Sequence, residues 1–298
     1  WYQKAAEQGQ SEAQTRLAWM YENGNALALS GADGSQIWRF EGFFNGERFG
    51  KTWLQVGDCN MDGIDDIVFG SPEADAMGLP SSGHVTALSG VSGMMIWQRT
   101  GMYMYGRYGE TIFDAEDLNG DGITDVVMAS PETSTGSAWN PLVDNGLIEA
   151  ISGVGGYPLW TVSGANSGDH MGRELITAED LNGDGALDFI AGSGLSDTNN
   201  LANNGAISAI SGTGGFQLWQ VEGDSNDAHL GTNLKMVEDL DGDGWGSDEI
   251  DNDDDGMIDE IDESDFVINY GGLPKLMEDA NDDGIKDFPD FNVKNVRY

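Results

Sequence analysis

One short pattern returns along this chain at nearly constant spacing, and it restricts the fold more than any other feature. Ser30-Gly31, Ser89-Gly90, Ser152-Gly153 and Ser211-Gly212 stand 59, 63 and 59 residues apart. Seven residues after each glycine comes a tryptophan: Trp38, Trp97, Trp160 and Trp219. Phe49-Gly50, Tyr108-Gly109, Met171-Gly172 and Leu230-Gly231 follow, and eight residues past each of these glycines stands an aspartate. A repeat of this length is one supersecondary unit that buries its apolar face only against its neighbours.

The unit reads as β. Short β-rich runs are cut by Gly-rich turns, about four to a period; in the second period they lie near 84–88, 95–99, 111–115 and 125–129. Four strands per repeat point to the blade of a β-propeller.

The aspartate eight residues past each x-Gly opens a loop of the form D-x-N-x-D-G-x-x-D. Oxygen side chains occupy positions 1, 3, 5 and 9, a glycine at 6 permits a sharp turn, and the position-7 carbonyl can face the same point. Asp58, Asn60, Asp62 and Asp66, with Ile64 at position 7, form the first copy. The second is Asp117, Asn119, Asp121 and Asp125 with Ile123; the third is Asp180, Asn182, Asp184 and Asp188 with Ala186. Asp239, Asp241 and Asp243 begin an imperfect copy whose ninth position is Ser247. Two more follow in the tail: Asp251, Asp253, Asp255 and Asp259 with Met257, and Asp279, Asn281, Asp283 and Asp287 with Ile285. Hard oxygen ligands at this spacing suit Ca²⁺ better than zinc or copper, so five or six Ca²⁺ sites are expected. The plainer reading is a set of Asx-turns with solvated acids. An EF-hand carries Glu at position 12 and continues into a helix; here position 12 is Phe69, Met128 or Ala191 and a β-rich run follows, so the loop is expected to close a β-hairpin.

F/Y-G, then the acidic loop, then Phe69-Gly-Ser-Pro72 or Met128-Ala-Ser-Pro131 resemble FG-GAP repeats, as found in the integrin α-chain propeller and many bacterial surface proteins. The resemblance covers about 26–250 and implies a propeller whose loop acids bind Ca²⁺. It weakens at Ala191-Gly-Ser-Gly194, which lacks the proline, and in the fourth unit, where no apolar run follows the loop. The A-L-S-G-x-x-G-x-x-x-W stretches are also similar to the tryptophan-docking repeats of quinoprotein propellers, which implies that the tryptophans lock neighbouring blades.

The two ends read differently. Residues 1–25 resemble one unit of the Sel-type tetratricopeptide-like repeats, with Ala13, Leu17 and Tyr21 at helical spacing, and imply a short helical hairpin. Residues 251–298 resemble the calcium loops of dockerin modules and of thrombospondin type-three repeats. The expected fold is thus mainly β: a partial, about four-blade propeller of four-stranded antiparallel blades at 26–250, with a helical fragment before it and an acidic calcium-loop tail after it.

Charge narrows the partners. With 52 acidic and 13 basic residues the net charge is −39, and six bound Ca²⁺ would leave about −27. Nucleic acid and anionic membrane are repelled at that charge. No run of 18 apolar residues offers a membrane span, and Cys59, the only cysteine, gives no disulfide framework. The chain starts at Trp1 with no visible signal; a missing N-terminus is the expectation. Low-affinity calcium loops suit the extracellular or cell-surface setting.

In an up-and-down blade the acidic loops and the Ser-Gly turns share one face. The other face then carries loops that vary in length, the usual place for recognition on a rigid frame, with Met77, Tyr103, Tyr105 and Trp139 as candidate contacts for a protein or glycan. The expected function is a calcium-stabilised binding or adhesion scaffold. A propeller-type polysaccharide-degrading or quinoprotein-like enzyme is one alternative, but the three histidines and the abundant acids form no nucleophile–base set. The other is an assembly component that docks through its tail or pairs with further blades.

Overall fold

The computed structural model describes residues 15–17, 24–43, 46–137, 140–236 and 266–268. Three four-stranded antiparallel sheets form its centre. The first joins β4 (Thr52–Gln55), β5 (Ile67–Ser71), β6 (His84–Leu88) and β7 (Met95–Thr100) in chain order. Before it lie β1 (Thr15–Leu17), β2 (Asn25–Ser30) and β3 (Gln36–Glu41), which form a three-stranded sheet. The second blade joins β8 (Thr111–Asp114), β9 (Val126–Ser130), β12 (Leu147–Ile151) and β13 (Pro158–Ser163). A small hairpin, β10 (Thr135–Ser137) with β11 (Asn140–Leu142), interrupts it. The third joins β14 (Glu174–Ala178), β15 (Asp188–Ser193), β16 (Ala206–Ile210) and β17 (Gln217–Glu222), and a final pair links β18 (Leu234–Met236) to β19 (Phe266–Ile268). Here blade A is β2–β3, and blades B, C and D are the three complete sheets.

Sequence explains which strands lie deepest. The second and third strands of each blade read as near-continuous apolar runs, Ile-Val-Phe-Gly-Ser in β5 and Val-Val-Met-Ala-Ser in β9, and every residue of both is buried. Such runs suit strands covered on both faces. The fourth strands alternate instead, with one buried tryptophan amid exposed neighbours, as in Met95–Thr100. First strands approach one another, β4 with β8 and β14 with β18, so they line the inner side of the arc.

The repeat holds at the level of register. Trp38, Trp97, Trp160 and Trp219 stand opposite Ala28, Ala87, Ala150 and Ala209, and in each blade the register slips by one residue immediately after that alanine. Arg48, Arg107, His170 and His229, equivalent in the repeat, share a left-handed backbone with φ of 53°, 53°, 49° and 53°. A turn conformation repeated with unrelated side chains marks these histidines as frame positions.

Some expectations need correction. A period drawn from one Ser-Gly to the next mixes two sheets, because the Ser-Gly turn sits between a blade's third and fourth strands. Thr15–Leu17 is a strand paired with β2, not part of a helical hairpin, and no α-helix occurs among the described residues; the rest of 1–23 lies outside them. The fourth unit has a second strand after all: Phe266–Ile268, beyond the acidic stretch, pairs with β18 across position 250. Among the described residues no helix is long and apolar enough to cross a membrane.

Candidate metal centre

Each of the three acidic loops among the described residues joins a blade's first strand to its second, so it closes a β-hairpin. The Ser-Gly turn joins the third strand to the fourth at the same end. The two are bonded. Asp66 Oδ1 accepts from Gly90 N at 3.0 Å, Asp125 Oδ1 from Gly153 N at 3.0 Å and Asp188 Oδ1 from Gly212 N at 2.8 Å. The other carboxylate oxygen accepts from the loop's second residue: Cys59 N at 3.0 Å, Leu118 N at 3.0 Å and Leu181 N at 2.9 Å. All three ninth-position acids are 0% exposed. They fasten the loop to the turn.

The turn glycine faces the other way as well. Gly90 O accepts the Trp38 indole Nε1 at 2.9 Å, Gly153 O that of Trp97 at 2.8 Å and Gly212 O that of Trp160 at 2.5 Å. One glycine residue therefore links the acid of its own blade, through its N–H, to the tryptophan of the blade before, through its carbonyl. Only glycine fits there, because a Cβ on Gly90, Gly153 or Gly212 would fall 2.0, 2.1 or 1.9 Å from the carbonyl oxygen of Asp65, Thr124 or Leu187. Sequence reading found both the Ser-Gly mark and the acids but not their bond; the constant repeat spacing of both was the available signal.

The first and fifth acids stay at the loop rim. Asp58 accepts from Asp62 N at 2.8 Å and Gly63 N at 2.6 Å; Asp117 and Asp180 receive the equivalent donors. Asp62, Asp121 and Asp184 accept from the position-7 N–H of Ile64, Ile123 and Ala186 at 3.2, 3.0 and 3.1 Å. Ser89 Oγ donates to Asp62 Oδ2 at 3.0 Å, and Thr213 Oγ1 to Asp184 Oδ2 at 2.6 Å. Among the described residues no group of three or more His, Cys, Asp or Glu side chains converges as a metal cluster; the rim carboxylates rest on their own loop backbones.

Two observations bear on a hard cation, the first in one loop only, since Asn119 Oδ1 and Asn182 Oδ1 accept from Asp121 N and Asp184 N at 2.9 Å. Asn60 Oδ1, at position 3, is a buried acceptor with no hydrogen-bond partner. The acids also strain one another. Burial pushes the Asp125 carboxyl up to about 6; the Gly153 and Leu118 N–H groups oppose the shift, and Asp121 and Asp117 add to it. Asp188 is raised in the same way, first by burial and further by Asp184 and Asp180. Asp184 stays below the usual carboxylate range: a small burial penalty is outweighed by hydrogen bonds from Thr213, Asn182, Ala186 and Ser211. A divalent ion would supply the charge this set lacks. Asp239, Asp241, Asp243 and the two tail loops lie outside the described residues.

On the opposite face the candidate contacts are partly as expected. Met77 and Tyr105 are 78% and 61% exposed, Tyr103 is half-buried, and Trp139 lies outside the described residues. Parallel bridges Gly83–Tyr108, Gly146–Met171 and Gly205–Leu230 tie each blade to the next there. Buried side chains add to two junctions. Arg99 Nε donates to Glu149 Oε2 at 2.9 Å, and the Tyr108 hydroxyl bonds the same oxygen. His84 Nε2 lies 3.1 Å from Glu47 Oε2, with Thr86 Oγ1 3.1 Å from Nδ1.

No protein-family model matches the chain. Among characterised proteins it is similar to integrin alpha-5 of Xenopus laevis, 27% identical over 182 residues, covering 57% of this chain and 17% of that protein. It is 30% identical over 159 residues to integrin alpha pat-2 of Caenorhabditis elegans, covering 47% and 13%, and 33% identical over 98 residues to integrin alpha-PS5 of Drosophila melanogaster, covering 31% and 9%. The chain thus spans less than a fifth of the length of these relatives. Its four-stranded blades and acidic hairpin loops accompany a sequence similarity to integrin α chains.

Proposed function

We propose that this chain is a calcium-stapled β-propeller segment of an extracellular or cell-surface protein, and that it serves as a scaffold for adhesion or ligand binding. The observation that carries the reading is the buried, unpartnered Asn60 Oδ1 at the third position of an acidic loop. Asp58, Asn60, Asp62 and Asp66, with the Ile64 carbonyl, would hold one ion; the Asp117 and Asp180 loops would hold two more in the same way. Bound Ca²⁺ supplies positive charge and fixes the hairpin. The metal's role is structural, because binding to the folded chain alone adds stability at every site. The loops of the other face, around Met77 and Tyr105, then meet a protein or glycan ligand. Similarity to integrin α chains supports this division of labour.

The test is a thermal melt in millimolar Ca²⁺ and in chelator, with a calorimetric Ca²⁺ titration. A higher melting temperature in Ca²⁺ and heat from at least three sites is the expected result. Equal melting temperatures and no heat would reduce the loops to solvated turns and remove the calcium reading.

A further inference from the structure

The end of the blades that carries the acidic loops also presents an apolar row. Met94, Tyr157 and Phe216 hold one position in three consecutive Ser-Gly turns. Their carbonyls accept from the N–H of Ser89, Ser152 and Ser211 at 2.8, 2.9 and 2.9 Å. They are 71%, 52% and 56% exposed. Each ring leans on its own turn, since a Cβ on Gly155 or Gly214 would fall 2.9 or 2.8 Å from Tyr157 or Phe216. Blade C has a complete blade on either side, so the exposure of Tyr157 belongs to the repeat itself.

Met61 extends the row at blade B. It stands fourth in its acidic loop with φ of 61°, where blades C and D place Gly120 and Gly183 at 78° and 73°. That backbone is easy for glycine and costly for methionine. The Met61 side chain is 87% exposed, so burial does not offset the cost. Its open setting is a property of the position, because nothing lies within 4 Å of where a Cβ on Gly120 would stand. Ser89 Oγ donates to Asp62 Oδ2 at 3.0 Å, which holds Met61 beside the turn of Val91 and Met94. Val91 is 49% exposed. Strain kept at an exposed apolar side chain points to a role outside the fold.

Charge indicates what meets this row. Among the described residues the loops at this end are 31–35, 56–66, 89–94, 115–125, 152–157, 179–187 and 211–216, and they contain no Lys, Arg or His. Asp33, Asp65, Glu116 and Glu179, one from each blade, are exposed there and lie outside the metal positions. Bound Ca²⁺ would leave them charged. Basic residues sit at the other end: Arg48, Lys51, Arg107 and Arg173 stand in loops that lead into first strands.

We infer that the acidic-loop face of the blades docks a basic segment of another protein, one whose Arg or Lys residues alternate with apolar side chains. Its apolar groups pack on Met61, Val91 and Met94, whose unbranched methionines adapt to an irregular partner. Its cations meet the four acids, and an Arg or Lys over Tyr157 or Phe216 adds a contact with the ring. This surface lies opposite the one assigned above to ligand binding, and it does not need bound Ca²⁺.

A fluorescein-labelled synthetic peptide of alternating arginine and leucine tests it, by anisotropy titration with the whole chain in physiological salt, in Ca²⁺ and again in chelator. One comparison peptide has serine for every leucine, another has glutamate for every arginine, and a neutral cello-oligosaccharide serves as competitor. The Arg–Leu peptide is expected to bind at least about tenfold more tightly than either comparison peptide. Tyr157→Ser and Met94→Ser are each expected to weaken it about tenfold. Met61→Gly is expected to weaken it as well while holding or raising the melting temperature, a combination that a merely structural methionine would not give. Circular dichroism confirms that each variant is folded. Chelator is expected to leave binding in place or tighten it; equal affinity in both conditions, with no heat from Ca²⁺, would remove the calcium reading and leave this one standing. An Arg–Ser peptide that binds as tightly as Arg–Leu, unchanged affinity in the folded variants, or displacement by the oligosaccharide would each overturn the proposal.

Discussion

The indole of Trp97 donates to the carbonyl of Gly153 at 2.8 Å, across 56 residues of sequence and one blade boundary. The same glycine donates its own N–H to Asp125 at 3.0 Å, so blade B, the Ser-Gly turn and the acidic loop of blade C are joined through one residue.

Substituting Trp97 separates the bond from the packing. Trp97→Phe keeps an aromatic ring and leaves the Gly153 carbonyl without its donor, an expected loss of about 1 kcal/mol. Trp97→Ala also opens a cavity beside Ile151 and is expected to cost about 3–5 kcal/mol. Urea unfolding of the two variants gives both values; equal losses would mean that the ring contributes nothing beyond its hydrogen bond.

Asp125 has a fastening role that does not depend on calcium. Both of its oxygens accept from backbone N–H groups, so Asp125→Asn turns an amide donor on one of them. In chelator this variant is expected to lose about 1–3 kcal/mol. Asp121→Asn, at the exposed rim, is expected to change stability little in chelator while weakening the heat of Ca²⁺ binding. Denaturation and calorimetry on the pair distinguish fastening acids from ligands.

The response to pH should reverse with calcium. Without metal the Asp125 carboxyl is raised to about 6 in the fold, above about 3.9 in an unfolded chain. Between those values the folded state holds the extra proton, so stability falls as pH rises through the window and is lower at pH 7 than at pH 5. Asp188 acts in the same direction. After solvent screening the Asp125 effect is on the order of 1 kcal/mol. Melting in chelator should therefore occur at higher temperature at pH 5 than at pH 7. In saturating Ca²⁺, where protons compete with metal, the order is expected to invert.

Glu149 joins blade C to Arg99 and Tyr108, and burial followed by the nearby Glu149 charge raises the Tyr108 hydroxyl well above its ordinary value. Glu149→Ala leaves Arg99 without its carboxylate, keeping only the Tyr108 hydroxyl, and is expected to cost about 3–5 kcal/mol. The double variant Arg99→Met, Glu149→Leu is expected to recover much of that loss. Additive losses in the double-mutant cycle would argue against coupling.

Much of the fold was legible because its marks recur at fixed distances. The run Ile67-Val-Phe69 and its counterparts gave the second strand of each blade, and the residue after each loop ruled out a helix. The phase of the blades was not legible: strands 95–99 and 111–115 are neighbours in sequence but belong to different sheets, and only hydrogen bonding assigns them. At the candidate metal centre, spacing picked out the acids, yet the bond from Gly90 to Asp66 spans 24 residues and leaves no local trace. Leu17 shows the converse: an apolar spacing over a few turns cannot decide between helix and strand when a neighbouring strand offers pairing.

Because Trp38, Trp97 and Trp160 each grip the blade that follows, the described blades are mechanically a series of clasps. Tension on the two ends would not be shared by all junctions at once. A blade would come away when the contacts of one junction, its tryptophan clasp and its parallel bridge, opened together, and the remaining blades would keep their own. Such a chain extends in steps of roughly one repeat and resists pulling through its weakest junction, not through the sum of all of them.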